Sequence, residues 1–281
     1  VADNSSIEWT EATWNPTTGC DRISAGCDNC YALTLSKRLK AMGSAKYQTD
    51  GDPRTSGPGF GLALHPATLL DPLHWRKPRT VFVNSMSDLF HARVPRRFVS
   101  KVFATMLLTP QHTYQVLTKR PERMRRILSE YGWWTGVIAD ALELHEQGYG
   151  TPSPTQTQPG GQCALLNVWL GTTIESNEHT TRAHALRETP AAVRFISAEP
   201  LLGPLPSLNL AGIRWLIAGG ESGPKSRPVR ASWVREIRDR CTGSGTAFFF
   251  KQWGGRTPKA GGRELDGREW SEYPQEVSRV G

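Results

Sequence analysis

The feature that most narrows the fold of this chain is a rhythm. Six short, almost wholly apolar runs recur along it, separated by segments with helical periodicity. The runs are residues 80–85 (TVFVNS), 113–118 (TYQVLT), 168–173 (VWLGTT), 193–198 (VRFISA), 214–220 (RWLIAGG) and 247–252 (AFFFKQ). A strand with one wet face alternates apolar and polar residues, so runs without alternation suit strands covered on both faces, as in a parallel sheet. Helices are expected over 31–42, with Leu35, Leu39 and Met42 on one face, and over 96–107, with Phe98, Val102 and Met106 aligned. Two more are expected over 178–187 and 232–240, where Trp233, Ile237 and Cys241 stand four residues apart. A short first strand within IEWTEATWN completes the series. The expected fold is α/β, a full or partial (β/α) barrel of about six to seven parallel strands.

Two segments break the rhythm. Residues 43–78, with TDGDPRTSGPGFG, hold too many glycines and prolines for a helix and are expected to form a long loop over a site. Residues 130–163 read as an insertion: GWWTG packed by Trp133 and Trp134, then a polar Pro/Gly/Thr/Gln tract over 148–162 that is expected to be mobile. With 281 residues and 38% hydrophobic content, the chain can bury one large core, and a single domain, 1–281, is expected.

Lys and Arg outnumber Asp and Glu by 34 to 26, a net charge of +8. This favours an acidic partner such as DNA, RNA or a nucleotide, although a merely basic enzyme would look the same. Basic clusters lie in ARVPRR, KRPERMRR, KSRPVR and at arginines 235, 238 and 240; exposed helix faces often carry such cations with no partner at all. Interleaving with Trp14, Trp75, Trp133 and Trp134 leaves room for phosphate contact and base stacking. No run approaches the roughly 20 apolar residues of a membrane span, so no membrane association is expected. The opening residues show no basic region followed by an apolar one, and five cysteines is an odd count. The chain therefore reads as cytoplasmic, with thiols that stay reduced and available to a metal.

Three of those thiols, Cys20, Cys27 and Cys30, sit in TTGCDRISAGCDNCYAL, at the carboxyl end of the expected first strand. In β/α barrels that end carries the functional groups. Gly19 and Gly26 let the loop bend back without Cβ clashes. Three thiolates suit a [4Fe–4S] cluster in which one iron lacks a protein ligand. Zinc is the alternative, with a fourth ligand from His65, His74, His91, Asp88, Cys163 or Cys241; unliganded or redox thiols are another. Cys241 completes a helix face and is expected in the core.

At these residues the sequence resembles the radical S-adenosylmethionine enzymes, which combine a partial barrel with a three-cysteine loop after the first strand. The resemblance implies an open iron that chelates the amino and carboxylate groups of S-adenosyl-L-methionine. It also implies a one-electron cleavage to a 5′-deoxyadenosyl radical, and a reductant such as ferredoxin or flavodoxin. The superfamily spacing is Cys-x3-Cys-x2-Cys; here it is Cys-x6-Cys-x2-Cys, with Asn29 where an aromatic usually precedes the last cysteine. Across residues 6–253, IEWTEATWNPTTGC, GCDNCYA, FVNSMSDLFH, LTKRP and AGGESG resemble a bacterial and phage family of three-Cys-motif proteins. That resemblance implies a further partner, the three-Cys-motif partner protein.

The other strand ends are rich in polar groups. Asp88, with Ser85 and Ser87, is expected to take the methionine ammonium, or else to cap a turn. The hydroxyls of Thr118 and Thr173 are expected in the cofactor pocket. Lys119 and Arg120 could neutralise a carboxylate or phosphate, or pair internally with Glu199 or Glu221. Gly219 and Gly220 could let backbone approach adenine or ribose, or simply turn the chain. Glu199, fixed by Pro200, and its counterpart Glu221 are candidate catalytic carboxylates that could hold a substrate amine, a ribose hydroxyl or a proton. Lys119 and Lys251 are candidate catalytic residues beside these carboxylates, and Lys251 needs an anionic neighbour. Together these point to a radical S-adenosylmethionine-type enzyme acting on nucleic acid or nucleotide, in modification or repair. The rival is a non-catalytic, metal-stapled protein that binds nucleic acid or a partner.

Overall fold

The computed structural model describes residues 5, 7–150, 156–158, 162–257 and 260–275. Seven strands form one curled half-barrel sheet: β1 (Ala12–Trp14), β2 (Thr80–Val83), β3 (Thr113–Thr118), β4 (Val168–Thr173), β5 (Val193–Ala198), β6 (Trp215–Gly219) and β7 (Ala247–Gln252). They stand side by side in chain order, every neighbouring pair parallel. Repeated β/α units give that order when each crossover returns one place along, and the twist of so many parallel strands curls the sheet. Among the described residues, six α-helices flank it: α1 (Tyr31–Ala41), α2 (Arg96–Leu108), α3 (Pro121–Leu128), α4 (Tyr131–Glu146), α5 (Arg182–Glu188) and α6 (Ala231–Ser244).

Alternate residues divide the strands between two apolar layers. Val81, Val83, Tyr114, Val116, Leu170, Ile196, Leu216, Phe248 and Phe250 join the main core beneath the helices. Phe82, Phe195, Trp215, Ile217 and Phe249 fill the concave side around Trp9, which lies edge-on to Phe82 at 4.7 Å and to Trp215 at 6.1 Å. Both faces are dry, which is why the strands read as unbroken apolar runs. The same parity, followed to the strand ends, puts Lys119, Thr173, Glu199 and Lys251 on the concave side. The layer above the rings is therefore polar.

The expected strands at 113–118, 168–173, 193–198 and 247–252 have those bounds, and the two others are shorter at their ends. Of the three helix faces read from the sequence, those of α2 and α6 hold, and the helix expected over 178–187 begins only at Arg182. The face of α1 does not hold: Leu35 and Met42 are exposed, Leu39 is half-buried, and Ala32 and Ser36 are the buried residues. Ala32 packs into a small cluster with Tyr47, Phe60 and Met86 beside the cysteines, and a small side chain fits there.

Helices α3 and α4 were not anticipated. GWWTG, read as a small insertion packed by its tryptophans, lies in α4, with Trp133 and Trp134 edge-on to Phe103 of α2 at 5.3 and 5.9 Å. Asp140 of α4 is buried against α2, where Ser100 (2.9 Å) and Arg97 (2.7 Å) donate to it. Of the tract 148–162, residues 151–155 and 159–161 lie outside the described residues, so the expected mobility falls there. The loop 43–78 contains short 3-10 turns, and its Ala63–Leu64 pairs antiparallel with Thr17–Thr18. No helix among the described residues is long and apolar enough to cross a membrane.

Candidate functional site

Beyond β1 the chain runs beside the loop that follows β2. The N–H of Gly19 donates to the carbonyl of Met86 at 3.0 Å. Gly19 has φ +84°, and the carbonyl oxygen of Gly61 lies 2.1 Å from where a Cβ would be. A side chain has no place there, and this glycine turns Cys20 into a cleft at the carboxyl ends of the strands. Cys27 closes the 3-10 turn Ala25–Cys27, and Cys30 immediately precedes α1. All three cysteines line the same cleft, of about 740 Å³ including the space at its mouth. Of the other groups expected near a cofactor, Ser85, Ser87, Asp88, Thr118, Lys119 and Thr173 line it too.

Asp88 is buried and fully engaged. One oxygen accepts the Phe90 N–H (2.9 Å) and the Thr118 hydroxyl (2.7 Å). The other accepts the Lys119 N–H (3.1 Å) and the Arg120 guanidinium (2.8 Å). This is the capping arrangement, extended by an ion pair, and it leaves the carboxylate no capacity for an ammonium. Arg120 pairs with Asp88, not with Glu199 or Glu221, and directs a second contact at Cys20, 3.4 Å from Sγ. Burial pushes the Cys20 thiol up to about 12, with the Asp88 charge adding and Arg120 opposing. Cys30 is also raised, by burial first, with Lys119 working against it. Half-buried thiols like these become thiolates when a metal joins them.

Glu221 is a clamp. Its carboxylate accepts the Asn29 amide (2.9 Å), the Arg227 N–H (2.9 Å) and the Arg227 side chain (2.5 and 3.0 Å). Arg227 also donates to the carbonyl of Ala25 at 2.8 Å. The loop after β6 thus grips the cysteine loop on both sides of Cys27. Burial opposes ionisation of Glu221, but the Arg227 and Asn29 bonds outweigh it and hold the carboxyl below its usual range. Glu175, fully buried after β4, pairs with Arg182 at 2.8 Å. Its other oxygen faces Gly26, where a Cβ would come within 3.1 Å. Burial is again outweighed there, by Lys119, Ser24 and Arg182. The cysteine loop thus reaches across the half-barrel from β1 towards β4 and β6.

Glu199 and Lys251 form an ion pair at 3.0 Å, so Lys251 has the anionic neighbour it needs. Neither they nor Gly219 and Gly220 line the cleft. The two glycines answer to packing: a Cβ on Gly219 would lie 2.9 Å from Glu199 Oε1, and one on Gly220 would lie 2.0 Å from the Trp253 carbonyl oxygen. Ser87 donates to the Thr17 carbonyl at 2.8 Å, and the Ser85 hydroxyl is bonded to Asn15. Lys119 is different: its ammonium makes no ion pair among the described residues.

The expected stacking surface is corrected. Trp14, Trp133 and Trp134 are buried in the core, and Trp75 packs edge-on against His112. Most of the basic clusters are paired within the protein: Arg97 with Asp140, Arg125 with Glu188, Arg235 and Arg238 with Asp266. Cys241 is buried as expected. Of the candidate fourth zinc ligands only Asp88 lines the cleft. Among the described residues no three His, Cys, Asp or Glu side chains converge as the donors of one metal ion would. Arg227 and Asn29 were missed as site residues. Arg227 was hidden in a run of surface cations, and Asn29 was visible only as a departure from a motif.

Fold and site define an α/β half-barrel protein with a three-thiol cleft at its strand ends. The family model described as Protein of unknown function (DUF5131) matches residues 4–274, and the chain belongs to that family. No curated protein and no solved structure matches it.

Proposed function

We propose that the protein is an iron–sulfur enzyme of the radical S-adenosylmethionine type, acting on a nucleic acid or nucleotide. One observation carries the reading: three cysteines of one loop line a single cleft at the carboxyl ends of a parallel half-barrel. Cys20, Cys27 and Cys30 would each hold one iron of a [4Fe–4S] cluster, leaving the fourth open. A cubane distributes its thiolates over separate irons and can leave one iron open, so three cysteines suffice for it, whereas a closed zinc site needs a fourth donor. When bound, the cluster supplies one electron to the sulfonium of S-adenosylmethionine.

The chain's own residues have separable tasks in this reading. Arg120 donates towards Cys20, which draws charge from a thiolate and raises the potential of what it binds. Lys119, which makes no direct ion pair among the described residues, offers its ammonium to a carboxylate or phosphate in the cleft. Asp88 holds Arg120, and Glu221 with Arg227 holds the cysteine loop. The nucleic-acid clause rests on the net charge of +8.

A purely structural metal is the weaker reading. Glu175, Glu221 and Arg227 already tie the cysteine loop to the ends of β4 and β6, so a staple there would repeat their work. Anaerobic reconstitution, iron and sulfide analysis, and EPR with and without S-adenosylmethionine test the proposal. About four iron and four sulfide per chain, with a spectrum that S-adenosylmethionine perturbs, is the expected result. Stoichiometric zinc, or a cluster indifferent to S-adenosylmethionine, overturns it.

A further inference from the structure

Helix α1 leaves the cysteine loop with an apolar stripe turned to solvent. Tyr31, Leu35, Arg38 and Met42 stand at i, i+4, i+7 and i+11, one line along the helix. All four are exposed, Tyr31 by 53% and Met42 by 68%. Ile23, 45% exposed, adjoins them: it and Tyr31 both line the thiol cleft. The Tyr31 ring is fixed in place by its hydroxyl, which donates to the Ser85 carbonyl at 2.5 Å. The stripe is therefore preformed and begins at the residue after Cys30.

Its charge is one-sided. The helix carries Lys37, Arg38 and Lys40 and no acidic residue. Lys40 is paired with Asp50 at 2.5 Å, whereas exposed Lys37 and Arg38 have no ion pair among the described residues. An apolar centre beside uncompensated cations is complementary to an acidic protein surface, and such charge speeds encounter.

We propose that this face of α1 docks a small acidic electron-carrier protein, which delivers the electron that a cluster in the cleft requires. The inference rests on the iron–sulfur reading above. The carrier's reduced flavin loses one electron, the cluster gains one, and no atom is transferred. Docking over Tyr31 and Ile23 brings the carrier to the rim of the cleft, because both side chains line it together with the three cysteines.

The test uses the reconstituted, anaerobic protein and reduced flavodoxin as the acidic probe, with dithionite as a small-molecule control. Cluster bleaching is followed by stopped flow in the wild type and in a Leu35→Glu, Arg38→Glu variant. The expected result is a flavodoxin rate about tenfold lower or more in the variant, and falling with added salt in the wild type. Dithionite rate and iron content should match the wild type. Equal flavodoxin rates in both proteins overturn the docking surface. So does a wild type that sediments as a dimer while the variant is a monomer, because a second copy then covers the stripe. A protein that takes up no iron fails earlier, in the metal analysis, and removes the iron–sulfur reading together with this one.

Discussion

Lys251 and Glu199 meet at 3.0 Å across the end of β6, and they can do so because the residue between them, Gly219, has no side chain. The pair ties β7 to β5 over the top of the intervening strand. In a double-mutant cycle, Glu199→Gln and Lys251→Met are expected to show a coupling of about 0.5–3 kcal/mol in urea unfolding. Repeating the cycle with Gly219→Val present should bring the coupling close to zero. An undiminished coupling would show that the pair does not cross at residue 219.

Asp88 and Arg120 are mutually dependent. Arg120→Leu leaves a buried carboxylate without its cation and should cost about 3–5 kcal/mol of stability. Adding Asp88→Asn should return much of that loss. Denaturant unfolding of the single and double variants measures both, and an equal loss in the two would mean that Arg120 stabilises through packing alone.

Glu221 and Glu175 both have folded pKa values held below their ordinary value of 4.5. A carboxylate with a depressed folded pKa binds fewer protons when folded, so stability rises with pH across the window between its two pKa values. Their contribution is full above the unfolded value and is lost as pH falls through the folded one. Glu221→Gln should lower stability at pH 7 and flatten the acid limb of the curve below about pH 4.5. Thermal unfolding between pH 3 and 7 reads the slope, and an unchanged slope would remove Glu221 from the clamp.

Trp133 and Trp134 of α4 belong to the core. Trp134→Ala is expected to cost about 3–5 kcal/mol, whereas a loosely attached insertion would lose little. Chemical denaturation separates the two cases.

The strands were legible because both faces of the sheet are buried, which leaves apolar runs ending abruptly at polar rim residues such as Lys119 and Glu199. Helix α3 was not, because PERMRRIL buries only Pro121, Met124, Ile127 and Leu128 and otherwise reads as a charged surface segment. The face of α1 misled because apolar spacing specifies a shared side, not what lies against it. At the site, the strand-end rule located the cysteines and most of the polar rim. It could not give the partners: Asn29 and Glu221 are 192 residues apart, and no local pattern announces such a pair.

That separation governs when the site comes into being. The strands join the sheet in the order in which they are synthesised, so each new unit can settle on the one before it. The cysteine loop cannot finish in that way: Asn29 must wait for Glu221, 192 residues later, before the turn at Cys27 is gripped. Until the loop after β6 has been made, that turn lacks the partners that hold it. Any cofactor that needs Cys27 in place is therefore taken up only after the segment around Glu221 and Arg227 has been made.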